Sequence, residues 1–263
     1  MAPDVEQAPY HNLAAIYDQW QASYGVEYAE AIVPRVVRTL HSAEIPKGSV
    51  LDLGCGTGTL AIALQERGWS ALGVDRCSGM IKAAQEKAAH VSHPPTFAVA
   101  DVRTLKYRAM FSVVVCVYDV INHLTEAADL RKAFRSVYTS LTDDGLFMFD
   151  TNNLRCYRTI WADDDTIVHP GFSLHINNRY SEKSRIAVSD FLVRNVETGE
   201  ETRETLFERC YLVKEILEAL REAGFSDIRH EHFAFPGVPG AGLLKTWWSA
   251  RKRSLTPSSQ RRS

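Results

Sequence analysis

Apolar and polar positions follow an alternating pattern of strands and helices through the first half of the chain. From residue 48 to about 151, short apolar runs alternate with segments of helical spacing. These runs predict five strands, at "SVLDLG", "SALGVD", "TFAVAD", "FSVVVCVYD" and "DDGLFMFDT". The fourth is almost wholly apolar, as expected for a strand buried on both faces. Strands separated by helices predict parallel β-α-β units with right-handed crossovers.

The pattern changes after the fifth strand. Residues 172–180, 185–195 and 202–211 read as three strands joined by short turn-like links, which predicts an antiparallel meander. Helical spacing resumes at "VKEILEALREAGF", and two strands follow, "SDIRHEHFAF" and "KTWWSARKR". We therefore expect an α/β fold with a doubly wound, mostly parallel sheet and an inserted antiparallel β meander.

The predicted organisation divides the chain into a discontinuous core and three additions. The N-terminal part is a loose segment followed by a helix over residues 26–42, and the tail is polar and expected to be disordered. The five predicted parts are 1–44, an N-terminal cap and helix; 45–155, a Rossmann-like core; 156–211, the β insertion, a substrate lid; 212–253, the end of the core; and 254–263, the tail.

Composition indicates the cellular compartment and the kinds of partner more than it indicates the reaction. The 263 residues are 45% hydrophobic and 24% charged, with a net charge of −2, so no general attraction to nucleic acid is expected. Five scattered cysteines without a C-x-x-C pair favour a reducing compartment over a disulfide framework. The chain shows no signal-peptide pattern and no long apolar run. We expect a cytoplasmic monomer or homodimer with no membrane or nucleic-acid partner.

The stretch "VLDLGCGTGTL" predicts a ligand-binding glycine turn after the first strand. A dinucleotide fingerprint, G-x-G-x-x-G, would need glycine where Thr59 stands. Asp52, two residues before Gly54, would repel a pyrophosphate but attract the ammonium group of S-adenosylmethionine. The charge beside the turn therefore favours S-adenosylmethionine over NAD. The alternative is that Asp52 only caps the end of the strand.

Two further acids stand at the ends of successive strands. Asp75 ends the second strand and could accept hydrogen bonds from both ribose hydroxyls of a nucleoside. Asp101 ends the third strand, where its carboxylate could meet the amino group of adenine. Open α/β sheets bind ligands at the carboxyl ends of their strands. Three acids in register with one glycine turn therefore predict a nucleoside-containing cofactor.

The motifs "VLDLGCGTG", "LGVDRCSGMI", "VADVRTL", "FSVVVCVYDVINHL" and "DDGLFMFDTNN" resemble those of class I S-adenosylmethionine-dependent methyltransferases. The resemblance implies a seven-stranded sheet whose last strand, "KTWWSARKR", runs antiparallel to the others. It also implies S-adenosylmethionine as the cofactor. The implied cofactor-binding residues are Asp52, Gly54, Gly56, Asp75, Met80, Asp101, Val102 and Tyr118. For Met80, an ordinary place in the helix core is an alternative.

The segments "YDVINHL" and "LAAIYDQW", with the meander, resemble small-molecule methyltransferases, especially those of amino sugars. In that group an early tyrosine closes over the cofactor and a histidine faces the acceptor, which implies catalytic roles for Tyr17 and His123. An unperturbed histidine titrates near pH 6.5, so His123 is the candidate general base. A nitrogen acceptor is favoured over oxygen.

Acceptor contacts are expected from residues near the methyl group and from the lid. They are Asp119, Asn122, His175 and Arg179. The polar face of the first meander strand, which carries His175 and Arg179, either lines the acceptor pocket or is a solvated outer face.

Two other functions and a metal site are the alternatives. The chain could bind S-adenosylmethionine without methyl transfer, or could methylate protein or tRNA. Asp119, Asp150 and Asn152 partly match a magnesium motif of catechol-type methyltransferases. Thr151, however, stands where that motif needs an amide, so no metal site is expected.

Overall fold

The computed structural model describes residues 8–25, 28–234 and 242–253 of the chain. The described residues form two β-sheets, seven α-helices and three short 3₁₀ turns. The tail that was expected to be disordered, 254–263, and residues 235–241 lie outside the described residues.

The main sheet has seven strands in the order β10-β11-β5-β4-β1-β2-β3. Every neighbouring pair is parallel except the two pairs that involve β11, which runs antiparallel to β5 and β10. The expected sheet and its reversed last strand are thus confirmed. The strands are β1 (Ser49–Leu53), β2 (Ser70–Asp75), β3 (Thr96–Val99), β4 (Phe111–Cys116), β5 (Leu141–Asn152), β10 (Ser226–Phe233) and β11 (Lys245–Arg251).

Helices cover both faces of this sheet. Short 3₁₀ turns follow β3 and β4, at Val102–Thr104 and Val120–His123, and a third lies at Ile160–Ala162. The short α1 lies in the segment that was expected to be loose. The helices are α1 (Tyr17–Ala22), α2 (Tyr28–Ser42), α3 (Thr59–Glu66), α4 (Ser78–Ala88), α5 (Ala127–Ser140), α6 (Leu154–Thr159) and α7 (Val213–Ala223).

The central strands are largely apolar because each face packs against a helix layer. Leu51 and Val114 point into the cluster formed with α5 and α7. Val50 and Val113, the neighbouring residues, point into the opposite cluster with α2 and α3. Successive side chains of a strand alternate between faces, so a strand covered on both sides needs a continuous apolar run.

The insertion forms a separate antiparallel sheet of four strands, β6 (Asp165–His169), β7 (Phe172–Ser181), β8 (Ile186–Asn195) and β9 (Glu201–Arg209). We call it the lid sheet. Three of its strands were predicted, but β6 was missed. It is five residues long and follows a run of aspartates, and Ile167 is its only buried residue. Such a strand is too short to show a clear alternation of apolar and polar residues.

The N-terminal segment, residues 8–25, packs against the inner face of the lid sheet. Leu13 and Trp20 join a cluster with Leu174 and Phe191, and the rings of Trp20 and Phe191 meet edge to face at 5.4 Å. The backbone N–H of Asn12 donates to a Glu204 carboxylate oxygen at 2.9 Å. The segment and the lid sheet therefore form one layer above the core.

A buried lysine joins the ends of three core strands. Lys245, at the start of β11, is fully buried, and its ammonium lies 2.6 Å from Asp119 Oδ1 and 3.6 Å from Asp150 Oδ1. Burial alone would lower the pKa of Lys245, but the attraction of Asp119 and Asp150 outweighs it and raises the pKa above its usual value. The lysine is therefore charged at every physiological pH.

Replacing this lysine should destabilise the protein in a pH-dependent way. Lys245→Met leaves two buried carboxylates unpaired, and breaking a buried ion pair costs about 3–5 kcal/mol. Burial without a counter-ion disfavours the charged form of a carboxylate, so the destabilisation grows as the pH rises. We expect urea unfolding to show a larger loss at pH 8 than at pH 5.5.

The matched control is Lys214→Met on α7, where the lysine is exposed. This change should alter the free energy of unfolding by less than about 0.5 kcal/mol at both pH values. Equal stability of the two variants at pH 8 would contradict a structural role for the buried lysine.

Candidate functional site

The glycine turn between β1 and α3 is built from left-handed backbone. Gly54, Gly56 and Gly58 have φ values of 72°, 52° and 83°. A Cβ on Gly54 would lie 2.5 Å from a methyl of Val120, whereas a Cβ on Gly56 would meet no heavy atom within 4 Å. The first glycine is therefore required by packing inside the protein. The second leaves open space beside the turn, where a ligand can approach the backbone.

Asp52 lies beneath this turn with an unsatisfied oxygen. The residue is only 2% exposed, and its Oδ2 has no hydrogen-bond partner among the described residues. Burial raises the pKa of Asp52 to about 7, the negative charge of Asp75 adds to this shift, and the backbone N–H of Ala61 opposes it. A cation placed at Oδ2 would stabilise the ionised carboxylate and satisfy the orphaned atom.

Asp75 connects the turn to the start of α4. Its Oδ2 accepts from the backbone N–H of Gly56 at 3.0 Å, and its Oδ1 accepts from that of Cys77 at 2.8 Å. Burial raises the pKa of this carboxyl, although both backbone donors oppose the shift. Each carboxylate oxygen can accept a second hydrogen bond. Asp75 can therefore hold the turn and still bind ligand hydroxyls.

Asp101 and Val102 were expected beside the same ligand but are not among the described residues that line its cavity. The carboxylate of Asp101 accepts the backbone N–H of Arg103 at 2.8 Å and pairs with its guanidinium at 2.6 Å. Burial alone would raise the pKa of Asp101, but the hydrogen bonds from Arg103 outweigh it and lower the pKa. The expected adenine contacts of this pair remain predictions.

The backbone after β4 is held in a strained conformation. Tyr118 and Asp119 have φ values of 67° and 55°, in the left-handed region that side chains disfavour. The Asp150 carboxylate accepts both of their backbone N–H groups, at 3.1 and 2.7 Å, and also accepts the hydroxyl of Tyr28. Strain that the surroundings maintain in this way is typical of functional sites.

Two adjoining cavities open at this edge of the main sheet. We call them the glycine-turn cavity, of about 80 Å³, and the lid cavity, of about 580 Å³. The glycine-turn cavity is lined by the turn, Asp52, Asp75, Met80 and His123. Five residues line both cavities, and we call them the shared wall: Tyr10, Tyr17, Gln21, Tyr28 and Tyr118.

The lid cavity lies between the core and the inner face of the lid sheet, and its wall is aromatic and acidic. Besides the shared wall, it has the rings of Trp20, Tyr24, Trp161 and Phe191. Its carboxylates are those of Asp119, Asp163, Asp164, Asp165 and Glu208. No lysine, arginine or histidine is among the described residues that line it. The cavity therefore favours a ligand with a positive charge.

Glu208, on β9, and Asp119 are the two buried acids of this cavity. Glu208 is 7% exposed, and its Oε2 accepts from Asn152 Nδ2 at 3.0 Å and from the Tyr157 hydroxyl at 2.8 Å. Burial raises the pKa of Glu208 to about 8, and the charge of Asp119 contributes. Asn152, which donates to it, keeps its own Oδ1 buried without a hydrogen-bond partner among the described residues.

The two predicted catalytic residues meet through Tyr10. His123 Nε2 lies 3.0 Å from the Tyr10 hydroxyl, and Nδ1 lies 3.1 Å from the Phe207 carbonyl. A carbonyl only accepts, so Nδ1 carries the proton and Nε2 accepts from Tyr10. Burial lowers the pKa of His123, although the charge of Asp119 opposes this. The ring of Tyr17 lies edge-on to that of Tyr10, with 5.8 Å between centroids.

Asp119, His123 and Glu208 offer ligand-type atoms that lie within 4.8 Å of one another. Both nitrogens of the imidazole are already engaged, and Lys245 supplies a positive charge beside Asp119. The same lysine approaches Asp150, so it occupies the place that a cation would need in the partial magnesium motif. We therefore assign no metal to this cluster.

The structure corrects the expected position of three predicted acceptor contacts. Asn122 is fully buried; its amide accepts from the backbone N–H of Asn152 and donates to the carbonyl of Arg209, so it joins β5 to β9. His175 and Arg179 lie on the outer face of the lid sheet, where Arg179 pairs with Asp190. None of the three is among the residues that line either cavity. Period-two alternation identifies two faces of a strand but not which faces inward.

Several site residues were not found from the sequence. No motif assigned a role at the site to Tyr10, Tyr28 or Lys245, although Lys245 begins a predicted strand, and only the fold brings the three together. Glu208 shares the buried face of Leu206, but the exposed Phe207 between them is also apolar, so the alternation did not identify the inward face.

Comparison with known proteins agrees with this arrangement. A methyltransferase-domain family model matches residues 50–145. "Putative methyltransferase YqeM" of Bacillus subtilis is 29% identical over 215 residues, which is 80% of each chain. A solved S-adenosylmethionine-dependent methyltransferase from Clostridium acetobutylicum has a TM-score of 0.76 at 22% identity, over 93% of this chain and 99% of that one. The sugar N-methyltransferase KedS8 from Streptoalloteichus has a TM-score of 0.69 at 20% identity, over 90% and 93%.

The chain is an S-adenosylmethionine-dependent methyltransferase, and S-adenosylmethionine is its cofactor. The glycine-turn cavity fits this cofactor, because Asp52 offers an unpaired oxygen to an ammonium group and Gly56 leaves space at the turn. Among the described residues, no helix is both long enough and apolar enough to span a membrane.

Cofactor affinity should depend on the ionisation of Asp52. The ionised carboxylate attracts the methionine ammonium, and the pKa of Asp52 before binding is about 7. Affinity should therefore fall as the pH is lowered, and be about tenfold weaker at pH 6 than at pH 7.5, where an α-amino group is still mostly protonated. Asp52→Asn should bind more weakly and lose this pH dependence in calorimetric titrations.

Asp143→Asn, a change at an exposed aspartate, is the control and should behave as the wild type. A wild-type affinity that is constant between pH 6 and pH 7.5 would exclude Asp52 as the group that meets the ammonium.

The glycine turn should respond to a single added methyl group. Gly54→Ala combines a positive φ with a clash against Val120, and overpacking costs about 1–3 kcal/mol. Gly199→Ala has a similar φ of 70° but meets no atom within 4 Å, so it is a matched control for backbone strain. We expect urea unfolding and calorimetry to show greater loss of stability and of cofactor affinity for Gly54→Ala. If both variants lost the same stability, the positive φ alone, and not the contact with Val120, would explain the need for Gly54.

Proposed function

We propose that this methyltransferase transfers the methyl group to a nitrogen of a small-molecule amine. The acidic, aromatic wall of the lid cavity is the observation that carries the proposal. Carboxylates attract an ammonium group, and aromatic faces add cation–π attraction. The similarity to a sugar N-methyltransferase supports a nitrogen acceptor. The volume, about 580 Å³, is within the range of small-molecule sites.

In this proposal the cofactor and the acceptor bind in different cavities. S-adenosylmethionine supplies an activated methyl group on a positively charged sulfur. We propose that Asp52 meets its ammonium, that Asp75 accepts from its ribose hydroxyls, and that Met80 packs nearby in the same cavity. The acceptor then occupies the lid cavity, and the reacting atoms meet at the shared wall, where Tyr17 and Tyr118 contribute to both cavities. Catalysis rests chiefly on proximity and alignment.

The N-terminal segment supports this alignment. Its Tyr10 donates to the neutral imidazole of His123, which fixes the tyrosine ring between the two cavities. Its Tyr17 and Trp20 pack edge to face at 5.7 Å, so the aromatic side of the shared wall is continuous. The segment thereby covers the reacting atoms and excludes water. We propose positioning roles for Tyr10 and Tyr17 on this basis.

The experiment compares amines with alcohols that have the same carbon skeleton. We expect formation of S-adenosylhomocysteine with amines from a panel such as glucosamine and cyclohexylamine, and none with glucose or cyclohexanol. Asp75→Asn is the control that weakens the cofactor site and should reduce turnover with every acceptor. Turnover on alcohols equal to that on amines would contradict a nitrogen acceptor. Methylation confined to the macromolecular fraction of a cell extract would contradict a small molecule.

A further inference from the structure

We propose that Glu208 is the catalytic residue that binds the acceptor nitrogen and takes its proton. This inference rests on the proposed amine acceptor and names the group that recognises it. Glu208 points from β9 into the lid cavity, and Oε2 is held by Asn152 and Tyr157. Its other oxygen, Oε1, makes no hydrogen bond with the described residues. A side chain fixed at one oxygen and open at the other is prepared for a ligand.

The atoms around Glu208 match an ammonium group. Asn152 Oδ1 is a buried acceptor without a partner among the described residues, and Asn152 itself is bonded to Glu208. The carboxylate of Asp119 also lines the cavity, and only its Oδ1 is bonded to Lys245. The cavity wall therefore offers three acceptor groups, and an ammonium has three N–H donors. An alcohol has one donor and would leave buried acceptors unpaired.

His123 is less suited to take the proton, although the sequence pointed to it. Its Nε2 accepts from the hydroxyl of Tyr10, and its Nδ1–H donates to the carbonyl of Phe207. A base must present a free lone pair to the proton that it removes. We therefore assign His123 to the positioning of Tyr10, and Glu208 to the proton.

The electrostatic surroundings suit the same role. Burial and the charge of Asp119 raise the pKa of Glu208 to about 8, and Lys245 moderates this shift. In the free site such a carboxyl holds a proton at neutral pH, but an ammonium bound beside it favours the ionised carboxylate, which can then take the proton of the ammonium. The other titratable groups beside it are His123, Tyr157 and Tyr10.

The proposed reaction consists of one proton transfer and one methyl transfer. The ammonium of the acceptor gives one proton to the Glu208 carboxylate and becomes a neutral amine. The nitrogen lone pair forms a bond to the methyl carbon while the carbon–sulfur bond breaks, and that electron pair remains on sulfur. The products are a methylated ammonium, S-adenosylhomocysteine and a protonated Glu208, which later returns its proton to water.

The test compares wild-type enzyme and Glu208→Gln, both loaded with S-adenosylhomocysteine. Glutamine keeps the shape and an oxygen that can accept from Asn152 and Tyr157, so the variant should fold. In the wild type we expect cyclohexylamine and glucosamine to bind at least tenfold more tightly than cyclohexanol and glucose. Glu208→Gln should lose this preference, keep its affinity for S-adenosylhomocysteine, and lower kcat for an amine substrate by about 10²-fold or more.

Two further variants separate this role from others. Glu201→Gln, an exposed change on the same strand, should preserve both preference and turnover. His123→Asn should reduce turnover but keep the preference for amines. If Glu208→Gln keeps the preference and near-normal kcat, Glu208 is excluded while the amine acceptor stands. If the wild type itself does not distinguish amines from alcohols, the proposed function is overturned as well.

Discussion

The buried ion cluster of Lys245, Asp119 and Asp150 is the constraint on which the active site depends. The lysine comes from β11, and the two acids come from the ends of β4 and β5, three adjacent strands of the sheet. Asp150 in turn accepts the backbone N–H groups that hold Tyr118 and Asp119 in left-handed backbone. One buried positive charge thus makes it possible for two carboxylates and a strained turn to exist inside the core.

The ammonium group of Lys245 also explains why a site with so many buried acids is stable. Lys245 compensates the acids within the core, whereas Asp52 and Glu208 lie buried at the two cavities with pKa values of about 7 and 8. Each of these two carboxylates has an oxygen free for a cation, one on the cofactor side and one on the acceptor side. The site is therefore electrostatically incomplete by itself. The cofactor and the proposed amine acceptor, each bearing a positive charge, would complete it.

Local patterns in the sequence predicted the parts of the fold that depend on local rules. Alternating strands and helices predicted the main sheet, and the glycine turn with Asp52 and Asp75 predicted the edge at which a cavity opens, because strand ends share one edge of a parallel sheet. The missing parts depend on contacts between distant segments. Neither the burial of Lys245 nor the pairing of Tyr10 with His123 leaves a signature in neighbouring residues. Which face of the lid sheet points inward likewise depends on its packing against the N-terminal segment, which is distant in sequence.

The shared wall has a kinetic consequence. Tyr10 and Tyr17 of the N-terminal segment stand on the border between the glycine-turn cavity and the lid cavity. If the cofactor and the acceptor occupy these cavities as proposed, both would enter and leave past this segment. A single opening motion of this segment would then limit turnover. Its rate would be the same for every acceptor whose chemical step is faster than the opening.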